Sequence, residues 1–138
     1  MRRKIAEVIR GRDPIGLPPD ANVREASRLM REHNVGSVLV TTEGRLLGIF
    51  TERDLVCRVV ADDLNPDETA LEAVMTANPD TIRPDSPAID GLRRMEDGGF
   101  RHLPVVSGGR VVAVVSRRDF FGDEKARLEE ETRIWERI

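Results

Sequence analysis

Apolar positions along this chain change their period several times, and each change marks an element. Over residues 23–33, Ala26, Leu29 and Met30 recur at helical spacing, which predicts an amphipathic helix that Gly36 is expected to break. Residues 37–41 and 45–50 are apolar runs on either side of Thr42, Glu43 and Gly44, which predicts a hairpin whose turn needs glycine's tolerance of positive φ. Gly16 and Leu17, closed by Pro18, Pro19 and Asp20, predict a short strand before the helix. Leu55, Val56, Val59 and Val60 fall on one stripe of residues 51–60, an amphipathic helix expected to pack on the hairpin.

The same order returns 65 residues later: residues 7–54 align with 72–119 without a gap, with eleven of the 48 pairs identical. Identity this low persuades only by where it falls. Pro14/Pro79, Asp20/Asp85, Gly44/Gly109, Arg53/Arg118 and Asp54/Asp119 lie at turns and element ends, while residues 46–50 and 111–115 exchange one aliphatic for another. Each half reads β-α-β-β-α, so the expected fold class is α/β, in two tandem units at 1–62 and 63–122 followed by a helix over 123–138. Residues 61–67 read as the linker, 68–75 as a helix entering the second unit, and Phe120 and Phe121 as the start of its closing helix. In the tail, Leu128, Trp135 and Ile138 share a face, and Arg127/Glu131 and Glu129/Arg133 stand at four-residue spacing, so that helix must dock on something.

Composition narrows the function. At 138 residues, 34% charged and 39% apolar, the chain suits one soluble, folded module. The net charge of -3 gives no global attraction to nucleic acid or an anionic membrane, and four phenylalanines, one tryptophan and no tyrosine offer few stacking platforms for single strands. No apolar run approaches the ~20 residues that span a bilayer. Glu7 and Arg10 interrupt any signal-peptide core after Arg2, Arg3 and Lys4. The single Cys57, read as a small apolar filler, allows no intramolecular disulfide, so a cytoplasmic, reducing compartment is expected. Two histidines and one cysteine far apart supply neither a nucleophile with its base nor a metal cluster, so catalysis is not expected.

The sharpest local feature is Gly48 Ile49 Phe50 Thr51 Glu52 Arg53 Asp54, matched by Ala113 Val114 Val115 Ser116 Arg117 Arg118 Asp119. Where a strand runs into a helix, Thr51 or Ser116 is the N-cap, and its hydroxyl and the free backbone N–H groups converge on a spot that suits an anion. The acid three residues on could accept from a ribose's hydroxyls. The same pair is also a capping box that only stabilises the helix, and on these residues alone the cap is the stronger reading. Arg117 and Arg118 oppose a helix dipole there, a cost that a bound anion would relieve.

The duplicated unit, these two motifs, Val74 Met75 Thr76 ahead of Asn78 Pro79, and Phe100 Arg101 His102 Leu103 Pro104 Val105 Val106 together resemble the CBS domain family, named after cystathionine β-synthase, over nearly the whole chain. The resemblance implies an α+β sandwich in which two repeats pack through their sheets with pseudo-two-fold symmetry, leaving two clefts for AMP, ATP, NAD, S-adenosylmethionine or a related adenosyl ligand. Carried over position by position, it implies that Gly16, Leu17, Ser37, Thr51, Arg53 and Asp54 line one cleft. Thr81, Ile82, Arg101, His102, Ser116, Arg118 and Asp119 would line the other, which is expected to be the better equipped because Gly36 and Ser37 stand where Arg101 and His102 do. His102 reads equally as a phosphate partner or as a buried histidine satisfying backbone carbonyls. The expectation is a regulatory sensor of an adenosine-type nucleotide, with no obligatory cofactor, acting as a homodimer on an unidentified target protein. A structural adaptor with empty clefts is the alternative.

Overall fold

A computed structural model describes residues 2–136. The first half runs α1 (Ile5–Val8), β1 (Gly16–Leu17), α2 (Val23–His33), β2 (Ser37–Thr42), β3 (Arg45–Thr51) and α3 (Glu52–Asp54), which continues as a wider π-helical turn over Leu55–Val60. The second half runs α4 (Leu71–Val74), β4 (Thr76–Ala77), α5 (Ala88–Gly98), β5 (His102–Ser107), β6 (Arg110–Ser116), a 3-10 turn (Arg117–Asp119) and α6 (Gly122–Glu136). One sheet has the order β1-β2-β3-β4, with β1 parallel to β2 and the other pairs antiparallel. The other is the antiparallel pair β5-β6, against which Ile82 makes a single parallel bridge to Val105.

The local chemistry explains the hairpin and α2. Glu43 and Gly44 both take positive φ, 52° and 80°, and so do Gly108 and Gly109 in the second hairpin, which is the two-residue turn that matches strand twist. Helix α2 starts at Asn22, whose side chain accepts from the Glu25 amide at 2.9 Å. It ends at Asn34, left-handed at φ 53°, rather than at Gly36 as expected.

Other expectations are corrected in the same region. The helix expected over 68–75 shrinks to α4, because Met75 turns extended and the next two residues pair with β3. Of the stripe on 55–60, Val59 is buried, but Val56 and Val60 are 59% and 65% exposed. Hydrogen bonds spanning five residues, such as Ala61 N–H to the Val56 carbonyl, widen the turn and spread the stripe around it. Cys57 is exposed and fills no core position. Phe120 does not begin a helix: it is extended and buried, and α6 starts only at Gly122. In α6, Leu128 docks on the second core as expected, whereas the Trp135 side chain and Ile138 lie outside the described residues. Glu131 pairs with Arg93 of α5 at 2.6 Å, and the Glu129–Arg133 pair forms at 3.7 Å.

The two cores do not follow the two halves of the sequence. Val23, Ala26, Met30, Val38, Val40, Phe50 and Val59 close around Leu71 and Val74 of α4. Ile82, Leu92, Met95, Leu103, Val105, Phe120 and Leu128 close around Ile5 and Val8 of α1. Each repeat therefore lends its leading helix to the other. Backbone bonds fix the exchange, with the Ile5 amide donating to the Ser86 carbonyl at 2.9 Å and the Leu71 amide to the Ala21 carbonyl at 2.8 Å. Leu39, Ile49, Val111 and Ala113 are buried outside both clusters, and β3 lies against β6, so these four close the seam between the repeats.

Truncating either lent helix should loosen the repeat that receives it. Leu71→Ala and Ile5→Ala should each cost about 2–5 kcal/mol in urea unfolding. Amide exchange should quicken at Val38 and Val40 for Leu71→Ala, and at Leu103 and Val105 for Ile5→Ala. The opposite pattern would contradict the exchange.

Candidate functional site

Because the repeats exchange their leading helices, each Thr/Ser-x-x-Asp motif looks across the seam at the other repeat. Thr51, Arg53 and Asp54 line a cleft of about 770 Å³ together with Thr76, Pro79 and Asp80 and with Phe100, Arg101 and His102. Ser116, Arg118 and Asp119 line a second cleft of about 490 Å³ with Arg12, Asp13 and Ile15 and with Val35, Gly36 and Ser37. Gly36, His102, Ser116 and Arg118 border both, so the clefts meet in the middle.

This crossing changes part of the expected grouping. Arg101 shares a cleft with Thr51 and Asp54 and none with Asp119, and Ser37 stands with Ser116 and Asp119, not with Thr51. His102 sits at the junction, opposite Ser116 on the neighbouring strand. Gly16, Leu17, Thr81 and Ile82 line neither cleft. Ile82 is buried in the second core, Leu17 packs on the first, Gly16 pairs with Leu39, and the Thr81 carbonyl accepts from Arg94. The residues missed in the sequence include Arg12, Asp13, Ile15, Thr76, Asp80 and Arg58. The identical pair Pro14/Pro79 was the available signal, since it marks the two segments that carry most of them.

Both motifs form capping boxes. The Thr51 amide and hydroxyl donate to Asp54 Oδ2 at 3.0 and 3.1 Å, the Asp54 amide donates to Thr51 Oγ1 at 3.2 Å, and the Thr76 hydroxyl donates to Asp54 Oδ1 at 3.3 Å. The Ser116 amide and hydroxyl donate to Asp119 Oδ2 at 2.7 and 3.3 Å. The helical run after Thr51 reaches Val60, whereas the one after Ser116 stops at Asp119 because Phe120 leaves it to enter the core. The helix dipole expected behind Ser116 is therefore missing.

Charge separates the clefts further. Arg53, Arg101 and Arg118 border the larger cleft without an ion pair among the described residues, and Arg118 donates only to the Asn34 carbonyl at 2.8 Å. Arg58 lies 3.6 Å from Asp54, and Arg117 pairs with Glu96 outside the cleft. In the smaller cleft, Arg12 holds Asp119 by two bonds of 2.8 Å. Burial pushes the Asp119 carboxyl up, but the Arg12 guanidinium and the Ser116 amide and hydroxyl outweigh it and hold the group below the usual carboxylate range. Burial pushes the His102 imidazole down; Glu52 opposes this in part and Arg118 reinforces it, so the ring is neutral at neutral pH. Gly36 keeps the junction open, since a Cβ there would lie 2.9 Å from His102 Nε2 and collide with the Glu52 carboxylate. Among the described residues, no group of three His, Cys, Asp or Glu is placed to hold a metal ion, and no helix is long and apolar enough to cross a membrane.

Comparison with known proteins places this arrangement. The CBS domain family model matches residues 5–61 and 66–123. The CBS domain-containing protein CBSCBSPB3 of Arabidopsis thaliana is 40% identical over 114 residues, covering 82% of this chain and 20% of its own, so the chain spans about a fifth of that plant relative. An uncharacterized protein of Methanopyrus kandleri is 36% identical over 132 residues, covering 92% of this chain and 67% of its own. Among solved structures, a CBS domain protein from Pyrobaculum aerophilum, complexed with AMP, superposes with a TM-score of 0.83 at 27% identity, covering 93% of this chain and 99% of its own. With two repeats matched and both motifs in place at the seam, the chain belongs to the CBS domain family.

Proposed function

We propose that this chain is a ligand-sensing regulatory module that binds an adenosine-type nucleotide in the Thr51/Asp54 cleft. The observation that carries the reading is the trio of guanidiniums, Arg53, Arg101 and Arg118, which border a cavity of about 770 Å³ and form no ion pair among the described residues. Unpaired cations gathered in one concavity repel each other, and a phosphate relieves that repulsion. The size suits a nucleotide, since small-molecule clefts run to roughly 300–1,000 Å³. Asp54 is oriented by Thr51 and Thr76, and its Oδ1 atom has only the Thr76 hydroxyl at 3.3 Å and Arg58 at 3.6 Å, which leaves it capacity to accept from a ribose. The AMP complex of the Pyrobaculum relative supports the ligand class. Binding in a cleft built from both repeats would change how firmly they are held together, and so how the module packs on a target.

The adaptor reading rests on a different observation. Val56, Val60 and Leu64 are 59%, 65% and 40% exposed and close together in sequence, an apolar strip that suits burial against a second copy of the chain. The adaptor reading leaves the clefts empty, and light scattering addresses its interface: a dimer at micromolar concentration that dissociates in Val60→Glu is expected, and a wild-type monomer would refute it.

Calorimetric titration with AMP should give a Kd below ~1 mM. Arg101→Ala should weaken it roughly 10–100-fold, the range for a hydrogen bond to a charged group. Asp54→Ala should abolish binding at this cleft; a variant that loses only stability, in a protein that AMP never protects, would favour the adaptor. A phosphate beside the ring should raise the depressed pKa of His102, so its imidazole resonances should titrate at higher pH with AMP bound than without. No upward shift of that midpoint on AMP binding would contradict a phosphate beside His102.

A further inference from the structure

The second cleft differs from the first at one decisive position. Asp54 and Asp119 are equivalent under the 65-residue shift, and both are oriented by their capping boxes. Asp54 Oδ1 has only loose partners, but both oxygens of Asp119 are taken by Arg12, Nη1 to Oδ2 and Nη2 to Oδ1, each at 2.8 Å. The position equivalent to Arg12 is Ala77, which cannot pair. Arg12 follows Gly11, which takes φ 77°, and its amide donates to the Ile9 carbonyl at 2.9 Å, so the end of α1 aims its side chain across the seam. A bidentate guanidinium–carboxylate pair satisfies the acceptor sites that vicinal ribose hydroxyls would use.

We infer that the Ser116/Asp119 cleft is occupied by the chain itself, and that it admits only a ligand carrying an anion to exchange for Asp119 on the Arg12 guanidinium. The inference rests on the nucleotide reading of the family motif. The reason for the exchange is charge. Displacing Arg12 with a neutral nucleoside leaves a guanidinium without a partner beside Arg118, and a cationic ligand such as S-adenosylmethionine adds a further positive charge. A nucleoside phosphate instead supplies the counter-ion while its ribose takes the freed carboxylate. The Arg12 side chain is 40% exposed, so it can leave Asp119 without unpacking a core. Arg12 thereby becomes a specificity-determining residue for phosphorylated over unphosphorylated ligands. The Thr51/Asp54 cleft, with Ala77 in the equivalent place, has no such lock.

The test measures AMP against adenosine with the first cleft disabled by Asp54→Ala. In that background AMP should bind at least tenfold more tightly than adenosine. Adding Arg12→Gln should strengthen adenosine and weaken AMP until the ratio falls to about two, with Arg12→Ala as a second variant should the first fail to melt cooperatively. In the wild-type chain, the Arg12 Nε–H resonance should shift on addition of AMP and stay in place with adenosine. A ratio unaltered by removing Arg12 would overturn the inference. So would an Asp54→Ala chain that binds neither ligand while the wild type binds one AMP, because the second cleft is then closed to phosphates as well. A wild-type chain that binds no AMP would overturn the nucleotide reading itself and this inference with it.

Discussion

The exchange of leading helices is the constraint on which the rest of the molecule depends. Neither core is closed by its own half alone: the first takes in Leu71 and Val74, the second Ile5 and Val8. Small domains are limited by how little surface they can bury, and a mutual loan turns two marginal cores into one cooperative unit. The loan also fixes the relative orientation of the sheets, because backbone bonds at Ile5 and Leu71 pin each repeat to the other. Arg3 tightens the first of these anchors by bonding Glu124 at 2.6 Å and stacking 3.6 Å from the centre of the Phe121 ring.

The clefts are by-products of that geometry. Once α1 and α4 have crossed, the segments that follow them, 12–15 and 76–80, lie against the other repeat's Thr/Ser-x-x-Asp motif. Each cleft is therefore composite, and no single repeat contains one. A ligand that bridges the two sides is favoured by the closed seam and favours it in return, which is the energetic basis on which such a module could report occupancy without catalysing anything. Gly36, His102, Ser116 and Arg118 border both clefts, so the two sites share part of one wall.

The fold was largely legible because periodicity and turn chemistry are local. The bounds of α2, both hairpin turns and the short first strand follow from Ala26, Leu29 and Met30 and from the residues at 43–44 and 108–109. What stayed hidden was non-local. The stripe of Leu55, Val56, Val59 and Val60 was assigned one face by assuming α-helical spacing, and the π-helical turn dissolved it. The motif residues themselves were readable, with Thr51 and Asp54 in one cleft and Ser116 and Asp119 in the other, but some of the partners attributed to each lie elsewhere. Sequence order placed Arg101 and His102 beside Ser116 and Asp119; His102 does border that cleft, whereas Arg101 lines only the opposite one. A repeat read along the chain shows which positions are equivalent, not which ones meet.

That crossing also explains why two equivalent clefts carry unlike charge. Arg101 of the second repeat lines only the cleft of the first repeat's motif, while its counterpart Gly36 borders both clefts, so the Arg/Gly difference adds a cation to one site alone. Among the lining residues, Arg53, Arg58, Arg101, Arg117 and Arg118 outnumber Glu52, Asp54 and Asp80 in the larger cleft. In the smaller one, Arg12 and Arg118 are balanced by Asp13 and Asp119. A net excess of cation draws anions from solution, whereas a balanced cleft must break an internal pair before it can accept one. After duplication, then, divergence at a few exposed positions could separate an open site from a self-satisfied one without disturbing the backbone that both repeats share, since none of Arg12, Ala77 or Arg101 contributes to either core.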